Sequence, residues 1–229
     1  MSLDVLRDFI APGEQVDAYA RSFQLLREVG AGERGATVRL YQPQPVVAFG
    51  RRDELNPNFA QAADACRDHS FEPIVRKVGG HAAAYHQGCL VIDHFHPTRD
   101  AITGNNERFS IFGQMYADAL ASVDVPAAVG EIPGEYCPGE YSVYGIHFDG
   151  RKTKLVGTAQ RVVAGAWWFS AGIVVEGAAQ LRAVTTDVYS ALGLELNPAT
   201  VGAVTDINPL VAIEDIEDAV LEAFAGEGF

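Results

Sequence analysis

The sequence predicts an α+β fold, a mixed, largely antiparallel sheet with helices packed on its flanks. Three observations lead there. Amphipathic segments of helical period open and close the chain. Short apolar strands lie between them, separated by turns rich in glycine and proline. Hydrophobic residues make up 48% of the 229 positions, enough for one well-buried core.

In order, residues 14–29 place Val16, Tyr19, Phe23 and Leu26 at helical spacing. Residues 37–51 read as two short strands around a Pro-Gln-Pro turn, and residues 57–70 as a helix that contains Cys66. The stretch 73–80, PIVRKVGG, reads as a strand running into a glycine turn. Residues 89–96, CLVIDHFH, form an apolar strand with alternating polar positions, and 107–123 form a helix. A proline- and glycine-rich loop, 125–140, carries Cys137. A strand over 141–148 then turns at Asp149-Gly150 into a return strand, KTKLVGTAQRVV, and a further strand follows at 166–175. Residues 177–208 mix helix and loop, and 213–226 form the closing helix. With no repeat, linker or low-complexity tract, the expectation is one domain over 1–229 with no C-terminal accessory domain.

Thirty acidic residues against 17 basic ones give a net charge of −13, and no basic block stands out. Neither a nucleic-acid nor an anionic-membrane partner is expected, because phosphate binding needs a basic surface. No signal-peptide core or apolar run of about 18 residues occurs, so the expected compartment is the cytoplasm. Three cysteines with wide spacing and no CxxC argue against a disulfide framework or a zinc site, and no metal is expected.

Three segments carry candidate chemistry. The first is 76–88, RKVGGHAAAYHQG. Paired Gly79-Gly80 let a backbone approach a ligand and free N–H groups for an oxygen, with Arg76 and Lys77 supplying positive charge. A tight hairpin with exposed basic residues is the plain alternative. The second is the hairpin 150–161, where Lys154 stands three residues before Gly157. A desolvated ammonium there polarises a carbonyl or pairs with a phosphate, whereas a lone strand lysine is ordinarily a solvated edge charge. The third is Cys137 in GEYCPGEY. A loop thiol near cations serves as a nucleophile, and an incidental loop thiol is the alternative.

Together these segments resemble the biotin/lipoate protein ligase and octanoyltransferase superfamily, over most of the chain from Val16 to the closing helix. The family's RRxGGGxxxxHDxG segment reads here RKVGGHAAAYHQG, and its K-hydrophobic-x-G-[ST]-A-x-R segment reads KLVGTAQR, Lys154 to Arg161. The resemblance implies that Lys154 contacts the acyl carbonyl. It implies an acyl or phosphate site at Arg76, Lys77, Gly79, Gly80, His81, Ala82, Tyr85, His86, Gly157, Thr158 and Ala159. YCPGEYSV ahead of the lysine hairpin is similar to the octanoyltransferase branch with a nucleophilic cysteine there, so Cys137 takes that role.

The subtype whose cysteine follows the lysine is excluded, since no cysteine follows Lys154. His81 replaces the third glycine, Tyr85-His86 replaces the His-Asp pair, and Trp167-Trp168 stands where ligases usually carry histidines. These departures favour a transferase that needs no cofactor over a ligase that uses ATP and Mg2+. The implied donor is an acyl carrier protein or glycine-cleavage H protein, the acceptor a lysine of a lipoyl domain or of the H protein, and the cargo octanoate or lipoate. The expected slot walls are Val78 and Ala82 to Ala84, with His81 or His86 as the base. Two alternatives remain, an ATP-dependent lipoate-protein ligase and a non-catalytic binder of lipoate or acyl carrier.

Overall fold

The computed structural model describes residues 3–76, 78–98 and 104–227. Its strands are β1 (Asp4–Asp8), β2 (Thr37–Tyr41), β3 (Val46–Phe49), β4 (Glu72–Val75), β5 (Ala83–Tyr85), β6 (Cys89–Pro97), β7 (Ala127–Val129), β8 (Val143–Ile146), β9 (Lys152–Val163) and β10 (Ala166–Val174). The helices are α1 (Gln15–Gly30), α2 (Arg51–Glu54), α3 (Phe59–Asp68), α4 (Asn105–Ser122), α5 (Ala178–Leu192) and α6 (Ile213–Glu227).

Seven strands form the large sheet in the order β1-β2-β6-β10-β9-β8-β7, antiparallel apart from the parallel pair β1–β2. Three more form a small sheet, β4-β3-β5. The Pro-Gln-Pro turn therefore joins two sheets and does not make a hairpin, since β2 pairs with β6 and β3 with β4 and β5.

The period-two alternation of β10 sorts its side chains between the two faces of the large sheet. Trp167, Phe169, Ala171 and Ile173 join Phe112 of α4 and Phe224 of α6 in one core. Trp168 packs on the opposite face with Leu25, Leu26 and Val29 of α1. The small sheet has its own core with α3 and α5, built on Phe49, Ala62, Leu181 and Val188.

The buried face of α1 is Ala18, Ser22, Leu25, Leu26 and Val29, which leaves Val16 exposed, contrary to the stripe expected from apolar spacing alone. The cause is polar. Ser22 donates at 2.5 Å to Asp93, a fully buried carboxylate that also accepts from the Trp168 indole and the Ser170 hydroxyl. The guanidinium of Arg39, equally buried, bonds Ser22, the Ala18 carbonyl and Asp8. Buried charges are tolerated when paired and hydrogen-bonded in this way.

Candidate active site

A cavity of about 440 Å³ lies between the large sheet, α1 and the small sheet, within the roughly 300–1,000 Å³ usual for small-molecule sites. The face of β10 that bears Trp168, Ser170 and Gly172 supplies its floor. Ala48, Ile74, Ala83 and Tyr85 of the small sheet wall it, and Gly157, Thr158 and Ala159 of β9 line it further. The two sheets touch where Tyr85 rests on Gly172; a Cβ at Gly172 would stand 2.4 Å from the tyrosine ring.

Cys137 lines this slot on the loop between β7 and β8. Its backbone has φ +43°, a left-handed conformation that is costly for a residue with a Cβ. Tertiary bonds hold it there. Its N–H donates at 2.6 Å to the Tyr189 hydroxyl of α5, which itself donates to the Ala82 carbonyl. Its carbonyl accepts from Lys154 Nζ at 2.8 Å. Its Sγ accepts from the His81 backbone N–H at 3.2 Å and stands 3.4 Å from an Arg76 guanidinium nitrogen. Two N–H donors thus converge on the sulfur. Gly80 makes this approach possible: at φ +97°, an added Cβ would lie 2.6 Å from Sγ and 2.7 Å from Arg76. The other two thiols are different. Burial pushes both Cys66 and Cys89 up to about 12, which leaves them neutral packing groups.

Lys154 is 1% exposed. Its strand carries a register break at Leu155 opposite Val143/Tyr144, a bulge of the kind that re-aims side chains beside functional sites. The ammonium donates to the carbonyls of Tyr136 and Cys137 at 2.9 and 2.8 Å and to Glu135 Oε1 at 3.3 Å. Burial pulls it below the ordinary lysine value; the Glu135 carboxylate opposes this and the Arg76 charge adds to it. Glu135 Oε1 also accepts from the Ser142 hydroxyl and the Gly139 N–H, so one buried carboxylate ties both ends of the Cys137 loop. The three ammonium hydrogens thus go to the Cys137 loop, not to open space in the slot.

Of the residues singled out in the sequence, Arg76, Gly79, Gly80, Tyr85, Cys137, Lys154, Gly157, Thr158 and Ala159 line one cavity. His81 stands beside it through its N–H. Lys77 lies outside the described residues. Ala82 and Ala84 do not line the slot, because alternation along β5 turns Ala83 and Tyr85 toward it and their neighbours into the core behind. Nor does His86: its Nδ1 accepts the Gly88 N–H and its Nε2 meets the Gly177 carbonyl, so it braces a turn. Asp53, Glu135 and Tyr189 carry no local signal in the sequence; they meet the site only through tertiary contacts. Among the described residues, no group of three or more His, Cys, Asp or Glu could hold a metal ion, and no helix is long and apolar enough to cross a membrane.

A model of the lipoyl protein ligase A/B catalytic domain matches residues 16–225. The chain is 28% identical over 194 residues to an octanoyl-[GcvH]:protein N-octanoyltransferase of Geobacillus kaustophilus, covering 85% of this chain and 66% of that protein. It is 29% identical over 161 residues to one of the same name from Exiguobacterium sibiricum, covering 69% of this chain and 56% of the relative. The chain thus spans less than two thirds of these curated relatives. Among solved structures it resembles a lipoate-protein ligase A bound with ATP, at TM-score 0.77 and 19% identity over 99% of this chain and 85% of that one. It also resembles a lipoate protein ligase of T. acidophilum with bound lipoic acid, at TM-score 0.74 and 18% identity over 99% and 86%. At these identities the structures establish the fold.

Proposed function

The chain belongs to the lipoyl protein ligase A/B catalytic-domain family, and from that premise we propose that it transfers an octanoyl or lipoyl group between carrier proteins through a thioester on Cys137. The donor in this reading is an acyl carrier protein or the glycine-cleavage H protein, and the acceptor a lysine of a lipoyl domain or of the H protein. Support comes from the relatives' activity and from one observation above the rest. The Cys137 sulfur faces an apolar slot while two N–H donors converge on it.

In the first step the sulfur attacks the donor's acyl carbon. A C–S bond forms, the bond to the carrier's sulfur or lysine nitrogen breaks, and the departing group takes up a proton. The oxyanion develops beside Sγ, within reach of the His81 N–H and the Arg76 guanidinium that already touch the sulfur. Lys154 contributes positive charge at close range and fixes the loop. In the second step a lysine amine attacks the thioester, the C–N bond forms and Cys137 departs. The slot holds the tail. Burying its six methylenes is worth about 5 kcal/mol at ~0.8 kcal/mol each.

Both donors arrive already acylated, so this reaction requires no ATP. The glycine turn is also a poor fit for a triphosphate. The His81 N–H and an Arg76 nitrogen point at Sγ, and the Asp53 carboxylate lies 2.7 Å from the His81 ring, where it would repel phosphate.

Intact-mass measurement after incubation with octanoyl-acyl carrier protein tests the reading. The expected result is one octanoyl adduct, lost in Cys137→Ser. No adduct, together with lipoylation of a lipoyl domain by ATP and lipoate, would instead make the protein a ligase. Acyl binding without transfer of either kind would make it a binder.

A further inference from the structure

Amide-forming transfer from a thioester has a proton requirement that Cys137, Lys154 and Arg76 do not meet. An attacking lysine amine becomes positively charged as its nitrogen bonds to carbon, and it must lose a proton before the tetrahedral intermediate can expel sulfur. If the donor is an acylated lysine, the reverse holds, and the departing amine must gain one. Arg76 stays protonated. The Lys154 hydrogens are engaged by the loop.

We propose that His81, oriented by Asp53, is the group that moves this proton. The inference rests on the acyl-transfer reading and adds a residue pair to it. Asp53 is 2% exposed and sits in α2, directly after β3. Its Oδ2 accepts the Gly50 N–H at 3.0 Å, which fixes the carboxylate. Its Oδ1 lies 2.7 Å from His81 Nδ1. A carboxylate on Nδ1 selects the tautomer with the proton there, and so leaves Nε2 as the basic nitrogen. Among the described residues nothing bonds Nε2. The His81 side chain is 30% exposed, next to the exposed Gly80, so an amine arriving from solvent meets it. The same residue's N–H lies 3.2 Å from Sγ, so the imidazole is carried on the residue that touches the sulfur, at the edge of the slot and not in its lining. The charged and titratable groups that touch His81 are Asp53, Arg76 and Cys137, and Tyr189 bonds the carbonyl of the next residue, Ala82. His86, the other histidine of the segment, has both ring nitrogens occupied at a turn.

The protons balance. The amine nitrogen bonds to the acyl carbon, Nε2 takes one N–H proton, the C–S bond breaks, and the imidazolium returns that proton to the departing sulfur. With an acyl-lysine donor, Nε2 takes the Cys137 thiol proton as the C–S bond forms and passes it to the leaving amine as the C–N bond breaks, so one residue serves both half-reactions.

The test separates the half-reactions. Octanoyl-enzyme is formed with octanoyl-acyl carrier protein and followed by intact mass, then mixed with a purified lipoyl domain across a range of pH. In His81→Gln the transfer to lysine should fall roughly a hundredfold or more. Adduct formation from the thioester, which delivers no proton to nitrogen, should fall much less. The pH profile of transfer should lose an ionisation limb that wild type shows. Asp53→Asn should weaken transfer in the same direction and carries the test if His81→Gln does not fold. Transfer with a wild-type pH profile in a folded variant would overturn the proposal, as that is what a merely structural His81–Asp53 contact gives. No adduct in wild type from either octanoyl-acyl carrier protein or octanoyl-H protein would overturn the acyl-transfer reading as well, whereas normal adducts with an unaltered transfer profile would leave that reading standing and remove His81 alone.

Discussion

Replacing Gly80 by alanine perturbs Cys137, the proposed nucleophile, without touching it chemically. The new Cβ would lie 2.6 Å from Cys137 Sγ, where ordinary contact begins at 3.4 Å, so the sulfur or the turn must move by about 0.8 Å. The backbone at φ +97° adds strain of about 1–2 kcal/mol for a residue with a Cβ. In a chain of this length, that lowers Tm by roughly 2–8 °C. A misplacement near 1 Å at a reacting atom costs about a hundredfold in rate. Gly79 supplies the control: an added Cβ there meets nothing within 4 Å, and its φ is not left-handed. The assay is the rate of octanoyl-enzyme accumulation by rapid-quench intact mass, beside thermal melts of both variants. Gly80→Ala should acylate about a hundredfold slower and Gly79→Ala close to wild type. Equal rates in the two variants would refute the argument that Gly80 exists to let the sulfur in.

Three further outcomes follow from the same geometry. Lys154→Met strands the buried Glu135 carboxylate and should cost about 3–5 kcal/mol in urea unfolding; adding Glu135→Gln should restore part of that stability but not acyl transfer. Tyr189→Phe leaves the Cys137 N–H without its acceptor and should cost about 1–3 kcal/mol, with a slower acylation rate. His94 is pulled from 6.5 down to about 3 by burial, with His96 adding to the effect. The native state therefore refuses a proton that the unfolded chain accepts as pH falls below 6.5. Stability is full above 6.5 and drops by up to ~1.4 kcal/mol per unit on the way down, about 2 kcal/mol by pH 5. His94→Leu should flatten that acid limb in denaturant melts, and an unchanged limb would show that another group causes it.

Where local pattern decides structure, the sequence was readable. The β8–β9 hairpin, the long β6 and the closing helix follow from turn chemistry, alternation and helical period, and Lys154, Gly157 and Cys137 are visible through short motifs. What escaped depends on distant partners. β1 is DVLRD, mostly exposed at the sheet edge, with too little alternation to mark a strand. β5 and β7 have three residues each and exist because a neighbour pairs with them. Arg39 and Asp93 look like solvent-facing charges on strands, yet both are fully buried. Asp53 stands 28 residues from His81, Glu135 19 from Lys154, and Tyr189 52 from Cys137; no window of sequence links such pairs.

The tethering of Cys137 also bears on how the protein becomes competent. Its backbone and sulfur are held by a strand, a turn and a helix that lie far away in the chain. None of those restraints exists until the large sheet, the small sheet and α5 have come together. During synthesis or after partial melting, residue 137 is an ordinary cysteine on a floppy segment, with no aimed donors and no slot. On the acyl-transfer reading, reactivity is thus among the last properties the chain acquires and among the first it surrenders, and half-made molecules would escape acylation.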